Sequence, residues 1–213
     1  MAENMIRIEN VSKKFKEVTA LNQVNVNFEK GKIHGLIGRN GSGKTVLLKC
    51  ICGFMAPTSG EVYVDDKKVD HACPVDIGII LEEPGFISSL SGLKNLKLLA
   101  SVQKKVTEEE IRACMNRVGL DPNMKKAVKH YSLGMRHRLA IAQAIMEKPR
   151  LLLLDEPMNG LDRKGVLEIR ELLKDLREEG TTILVASHYA EDIDVLCDTV
   201  CEMDQGILKQ IKG

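Results

Sequence analysis

Ile33-His34-Gly35-Leu36-Ile37-Gly38-Arg39-Asn40-Gly41-Ser42-Gly43-Lys44-Thr45 decides how this chain is read. Its second part, Gly38 to Thr45, is G-x-x-x-x-G-K-[ST], the pattern of a phosphate-binding loop. Ile33–Ile37 before it has the character of a buried strand. Val46-Leu47-Leu48-Lys49-Cys50-Ile51-Cys52 after it opens a helix, so the motif sits in the strand-loop-helix context it needs. Glycines let successive backbone N–H groups turn inward as an anion nest, and the helix N-terminus adds a positive dipole end. Gly38, Arg39, Asn40, Gly41, Ser42 and Gly43 would form the cradle. Lys44 supplies a charge for β- and γ-phosphates, and Thr45 a hydroxyl oxygen for Mg2+. Chance produces such a pattern on the order of 1% of the time in a chain this long. A glycine-rich turn that binds nothing is therefore the weaker reading.

The 213 residues suffice for one domain, or a domain with a subdomain. Charge is balanced, 31 Lys and Arg against 30 Asp and Glu, so no basic field draws the chain to nucleic acid or an anionic bilayer. Aromatics are 3% with no Trp, which disfavours the aromatic platforms of nucleic-acid binders. No apolar run reaches the roughly 18 residues of a membrane span, and the N-terminus does not read as a signal peptide. A soluble, cytoplasmic protein without a nucleic-acid partner is expected. Cys50, Cys52, Cys73, Cys114, Cys197 and Cys201 lack the spacing of a zinc site and read as reduced core thiols.

Strand patterns cover Met5–Val11, Val24–Phe28, residues 33–37 and Glu61–Val64, with a helix from the loop to about Gly53 and a turn over Pro57–Gly60. Asp76–Leu81 is a further apolar run. From Ser88 to about Lys148 the pattern turns helical. Thr107-Glu108-Glu109-Glu110 is a capping box for a helix over Glu108–Val118 closed by Gly119, and Asp121-Pro122 reads as the start of a short helix. Beyond Pro149, Arg150–Asp155 and Thr181–Ala186 are buried strands, with helices over 163–179 and up to Cys197 and a closing hairpin around Gly206. Alternating strands and helices predict a largely parallel sheet covered on both faces. One domain over 1–213 is expected, with a nucleotide-binding core from 1–87 and 149–213 and an inserted helical subdomain over 88–148.

Asp155 and Glu156 stand at the carboxyl end of an apolar strand, where open α/β sheets bind ligands. Asp155 suits Mg2+ through water, and Glu156 suits a general base that polarises an attacking water. Taken alone, the pair also reads as N-cap carboxylates. Tyr131-Ser132-Leu133-Gly134-Met135 precedes a helix over Arg136–Glu147 and alone is only a Ser-capped helix start.

Together with Arg136-His137-Arg138-Leu139-Ala140-Ile141-Ala142, that stretch resembles the signature sequence of ABC transporter ATPases, in the variant of bacitracin- and lantibiotic-type exporters. The other motifs follow in the family's order: Leu151–Pro157 as Walker B, Asn159-Gly160-Leu161-Asp162 as the D-loop, Ser187-His188 as the H-loop. The resemblance covers essentially the whole chain. It implies an α/β fold of P-loop NTPase type. That fold has a RecA-like parallel-sheet core, an N-terminal antiparallel β-subdomain and an inserted α-helical subdomain. It implies ATP and Mg2+ as cofactors, a second ATPase subunit in a nucleotide sandwich, and an integral membrane permease as partner, docked near residues 82–102. In that sandwich Ser132 and Gly134 of one subunit, with Asp162 nearby, would close over the nucleotide held by Gly38–Val46 of the other. His188 would touch the γ-phosphate, and Phe15 would stack on adenine, although a lone Phe at a strand end is more often core.

Three positions depart from the family pattern. In Gly78-Ile79-Ile80-Leu81-Glu82-Glu83-Pro84-Gly85, aligned with the Q-loop, Glu82 replaces the usual Gln. Its carboxylate is the better ligand for a hard cation, so Glu82 is expected to reach Mg2+. His137 replaces the usual Gln after the signature and reads as a helix-surface residue. Val46 stands where a second Thr is common, which removes a hydroxyl near the α-phosphate. Two other classes compete with a transport ATPase. One is an ABC protein of DNA repair or translation, disfavoured by the absence of a long coiled coil, second cassette or basic arm. The other is a nucleotide-switch module with weak turnover, which Glu82 favours and Glu156 opposes.

Overall fold

The computed structural model describes residues 3–70, 76–81, 85–103, 105–188 and 190–213. The chain begins with two long strands, β1 (Asn4–Phe15) and β2 (Val18–Glu29), then β3 (Ile33–Ile37) and helix α1 (Lys44–Ile51). Strands β4 (Ser59–Val64), β5 (Lys67–Lys68) and β6 (Ile77–Ile80) follow, then helices α2 (Gly92–Gln103), α3 (Glu108–Arg117) and α4 (Leu133–Ile145). The remainder alternates as β7 (Leu151–Asp155), α5 (Arg163–Glu178), β8 (Thr182–Ser187), α6 (Ala190–Leu196), β9 (Thr199–Asp204) and β10 (Ile207–Lys212).

These strands form two sheets. One is antiparallel, ordered β2-β1-β4-β5. The other is ordered β10-β9-β3-β8-β7-β6, parallel except for β10, which returns beside β9 through Gln205 and Gly206. Burial explains why β7 is four consecutive leucines. Leu151 and Leu153 pack with Leu36, Leu184, Ala186 and Met203, against α1 and the antiparallel sheet. Leu152 and Leu154 point the other way, to Ile183 and Val185 and to Leu139, Ile169 and Leu173 on the helices. A strand buried on both faces has no polar side to alternate with.

Helix ends follow local chemistry. Thr107 and Glu110 form the expected capping box at α3. At its other end Gly119 N–H donates to the Asn116 carbonyl and Leu120 N–H to Met115, a Schellman closure with Gly119 at φ 73°. The same pair of bonds closes α5 at Gly180. Cys50, Cys52, Cys114, Cys197 and Cys201 are buried thiols, and burial pushes those of Cys114 and Cys197 up to about 12.

Four expectations change. Asp121-Pro122 begins a turn and not a helix. The Asp121 carboxylate accepts from Asn123 N–H (2.8 Å), and Val128 and Lys129 N–H then donate to the Leu90 and Ser88 carbonyls, drawing the segment onto the entrance of α2. α4 starts at Leu133, three residues before the expected Arg136, because Ser132 itself is its N-cap. β4 begins inside the expected Pro57–Gly60 turn, with Gly60 at φ 82° beside a register shift opposite Glu9 and Ser12. His137 is half-buried on α4 and not a plain surface residue.

Register brings the chemistry to one edge. Ile37 pairs with Ser187 and Asp155 with Ala186, so the carboxyl ends of β3, β8 and β7 lie side by side. α4 reaches this sheet at Gly78 of β6, where a Cβ would stand 2.1 Å from the Ala144 carbonyl oxygen.

Candidate active site at the carboxyl edge of the parallel sheet

The loop from Gly38 to Gly43 leaves β3 and enters α1 with Gly43 as N-cap at φ 116°. A Cβ on Gly38 would stand 2.7 Å from Ser42 Oγ and 2.3 Å from the Met203 carbonyl oxygen, so the loop admits no side chain there. Lys44 is buried, and its ammonium donates to the carbonyls of Gly38 (2.6 Å) and Arg39 (3.4 Å) across the loop. Ser42 Oγ is buried with no hydrogen-bond partner. A buried hydroxyl without a partner carries a cost that a ligand oxygen would remove. Arg39, Asn40 and Gly41 are exposed on the outer turn, and Val46 is half-buried against the apolar cluster under α1.

Thr45 Oγ1 donates to Asp155 Oδ2. Asp155 is pushed above the ordinary carboxylate range, first by burial, with the Thr45 hydroxyl opposing and Glu156 adding to the rise. These two oxygens suit Mg2+, which takes one or two protein oxygens and fills its octahedron with phosphate and water. The partnerless Ser42 hydroxyl and the side-chain-free Gly38 suit a polyphosphate. The residues present therefore fit Mg-nucleotide.

Glu156 follows at φ 51°, its N–H donating to the Ala186 carbonyl (2.8 Å). Its carboxylate receives Ser187 Oγ–H on Oε2 (3.2 Å) and His188 Nδ1–H on Oε1 (2.7 Å). The carboxylate only accepts, which places the His188 proton on Nδ1. Ser187, read in the sequence only as part of the H-loop, is a site contact to which that reading gave no role. The available signal was a hydroxyl ending an otherwise apolar strand beside the Walker B strand.

Other expected site residues lie on different elements. Phe15 ends β1, is 43% exposed, and has Lys13 Nζ 5.2 Å from its ring centre. Ser132 accepts from Met135 N–H (3.2 Å) as N-cap of α4, and Asp162 accepts from Gly165 N–H (2.8 Å) as N-cap of α5. Gly134 faces Gly160 and Leu161. Glu82 lies outside the described residues, as does Cys73. A groove of about 720 Å3 runs along β6, lined among others by Phe54, Leu99, Val102 and Gln143.

The family model described as ABC transporter matches residues 21–159. The chain is 42% identical over 210 residues to the bacitracin transport ATP-binding protein BcrA of Enterococcus faecalis, covering 97% of this chain and 68% of that one. It is 39% identical over 196 residues to the lantibiotic transport ATP-binding protein SrtF of Streptococcus pyogenes, covering 92% and 85%. The dimeric structure of MJ0796, a bacterial ABC transporter cassette, aligns at a TM-score of 0.89 and 27% identity over 98% of this chain and 100% of that one. A post-hydrolysis structure of the same cassette with ADP and Pi aligns equally.

The chain belongs to the ABC transporter family. It is an ATP-binding subunit and an ATPase of that family, with the cassette fold its motifs implied. The relatives named are ATP-binding proteins of transport systems, and the aligned cassette is a dimer. No helix among the described residues is long and apolar enough to cross a membrane.

Proposed function

We propose that this subunit binds Mg-ATP between its own phosphate loop and the α4 N-terminus of a second copy, and that closing and reopening of this pair drives a membrane permease. The observation that carries the reading is the convergence of Thr45, in the first turn of α1, with Asp155, Glu156, Ser187 and His188 at the ends of β7 and β8.

The backbone N–H groups of Gly38–Gly43 and the Lys44 ammonium hold the β- and γ-phosphates. Bound Mg2+ would supply charge neutralisation at the phosphate oxygens, held by Thr45 Oγ1 and Asp155. Glu156, held between Ser187 and His188, orients a water and accepts its proton. His188 is placed to swing toward the γ-phosphate while keeping its proton on Nδ1. Phe15 stacks on adenine. Ser132, Gly134 and Asp162 act in trans on the partner's nucleotide, and Glu82 senses the γ-phosphate and metal beside the permease.

The permease contact is assigned to the groove along β6. Phe54 and Val102, 70% and 81% exposed, flank it with Leu99 as an apolar strip suited to a cytoplasmic segment of a membrane protein. The resulting location is peripheral, on the inner face of the cell membrane. The resemblance to BcrA and SrtF favours an exporter of an antimicrobial peptide or drug. ATP turnover by the purified chain tests the enzymatic core: Glu156→Gln is expected to reduce kcat by about a hundredfold or more while ATP still binds. Equal rates for the two proteins would remove Glu156 as the base.

A further inference from the structure

Arg138 lies on α4, six residues after Ser132, and joins three helices. Its side chain is 15% exposed. Nη1 donates to the Val118 carbonyl at the end of α3 (2.7 Å), and Nη2 donates to Glu168 Oε2 on α5 (2.6 Å). Glu168 is held below the usual carboxylate range, mainly by this bond. Two glycines leave room for the guanidinium. A Cβ on Gly119 would stand 2.5 Å from Nη1, and one on Gly165 would stand 2.9 Å from Nη2.

Gly165 sits in the first turn of α5, where glycine is among the poorest helix formers, and its φ is not positive. No turn requires it there; a Cβ would crowd the guanidinium and, equally close at 2.9 Å, the Asp162 Oδ1 that caps the helix. Toward its start α4 also meets the turn that leads into α5. A Cβ on Gly160 would stand 2.4 Å from Leu133 Cδ2, and one on Gly134 would stand 3.1 Å from the Gly160 carbonyl oxygen. Asp162 lies between these two contacts and caps α5 through Gly165 N–H.

We propose that Arg138 is a positioning residue for the surface this subunit presents to its partner's nucleotide. With Glu168 and Val118 it fastens α4 to the first turns of α5, so that Ser132, Gly134 and Asp162 are offered as one preset block. The inference rests on the two-subunit reading above. Presetting the block removes ordering cost from dimer closure. The clasp acts on the face given to the partner and leaves the subunit's own phosphate loop as it is.

The test uses the full chain carrying Glu156→Gln, with ATP and Mg2+, and adds Glu168→Ala, Gly165→Ala or Arg138→Gln. Gly165→Ala keeps every bonding group but crowds the Asp162 cap as well as the guanidinium, whereas Glu168→Ala and Arg138→Gln loosen the clasp without adding an atom beside that cap. Each variant is expected to weaken ATP-dependent dimerisation about tenfold. Affinity of the monomer for a fluorescent ATP analogue stays unchanged. Amide exchange over residues 133–138 of the nucleotide-free monomer speeds up in all three. Undiminished dimerisation in both Glu168→Ala and Gly165→Ala overturns the proposal. Where the parent itself forms no ATP-dependent dimer, the two-subunit reading fails, and unchanged amide exchange then overturns the clasp on its own.

Discussion

Glu156 combines a left-handed backbone, rare for a residue with a side chain, with a carboxylate bonded on both oxygens. Both donors are consecutive residues at the end of β8, so the carboxylate inherits its placement from a buried strand. Removing the Ser187 hydroxyl deletes one of two restraints. Ser187→Ala is expected to lower kcat for ATP by about tenfold, the equivalent of one hydrogen bond to a charged group, with KM unchanged and Ser187→Thr restoring the rate. Steady-state kinetics decide this, and a full-rate Ser187→Ala enzyme would discount the restraint. His34 behaves differently. It is buried, with Nδ1 against Thr199 Oγ1 (2.7 Å) and Nε2 against the Glu29 carbonyl (2.8 Å). Burial lowers its pKa below 6.5, with the Glu29 bond opposing. The unfolded chain then binds the proton more readily than the folded one, so stability is lost as pH falls below 6.5. Thermal melts between pH 7.5 and pH 5.5 are expected to show this loss in the wild type and a flatter dependence in His34→Gln.

Helix caps were legible because they are local. Thr107 and Glu110 lie three residues apart and bond to each other's backbone whatever packs around them. Thr107→Ala is expected to destabilise by about 1 kcal/mol in denaturant titration. Glu110 is held at about 2, by Lys148 first and the Thr107 N–H next, so its contribution is present above pH 4.5 and disappears as pH falls toward 2. The turn at Asp121, where the sequence predicts a helix, shows the other side. Its carboxylate is spent on Asn123 N–H, and the chain that follows is claimed by Ser88 and Leu90, more than thirty residues earlier. No local pattern reports such a claim. Gly78 is a second case, since β6 reads simply as an apolar run. α4 lies directly on that glycine. Gly78→Val is expected to cost about 3 kcal/mol through overpacking, measured as a lower denaturation midpoint.

Across the described residues, two apolar layers meet on either side of one sheet, and Thr45, Asp155, Glu156, Ser187 and His188 gather at its carboxyl edge. The fold closes on its own hydrophobic layers. Mg2+ removal by EDTA is therefore expected to abolish ATP turnover and leave the Tm of the nucleotide-free chain unchanged. A fall in that Tm would place the metal in the fold itself. The Lys44 ammonium donates to the loop carbonyls of Gly38 and Arg39 within the subunit. Lys44→Ala is expected to lose ATP-dependent dimerisation in size-exclusion chromatography while remaining folded.

Gly38–Thr45, the apolar strand ending in Asp155 and Glu156, and the order of the later motifs are short-range patterns. Each is a run of residues whose spacing alone satisfies a loop, a strand or a cap. From them the cassette fold and the candidate phosphate site followed without coordinates. Other pairings join residues far apart in the chain: Thr45 with Asp155, Glu156 with Ser187, and Arg138 with Val118 and Glu168. Strand register and helix packing bring them together, and neither is written in any one segment. Gly165 shows the consequence most plainly. Along its helix it is an unfavourable residue; its own cap at Asp162 accounts for part of the crowding there, and the guanidinium arriving from α4 for the part no local pattern shows.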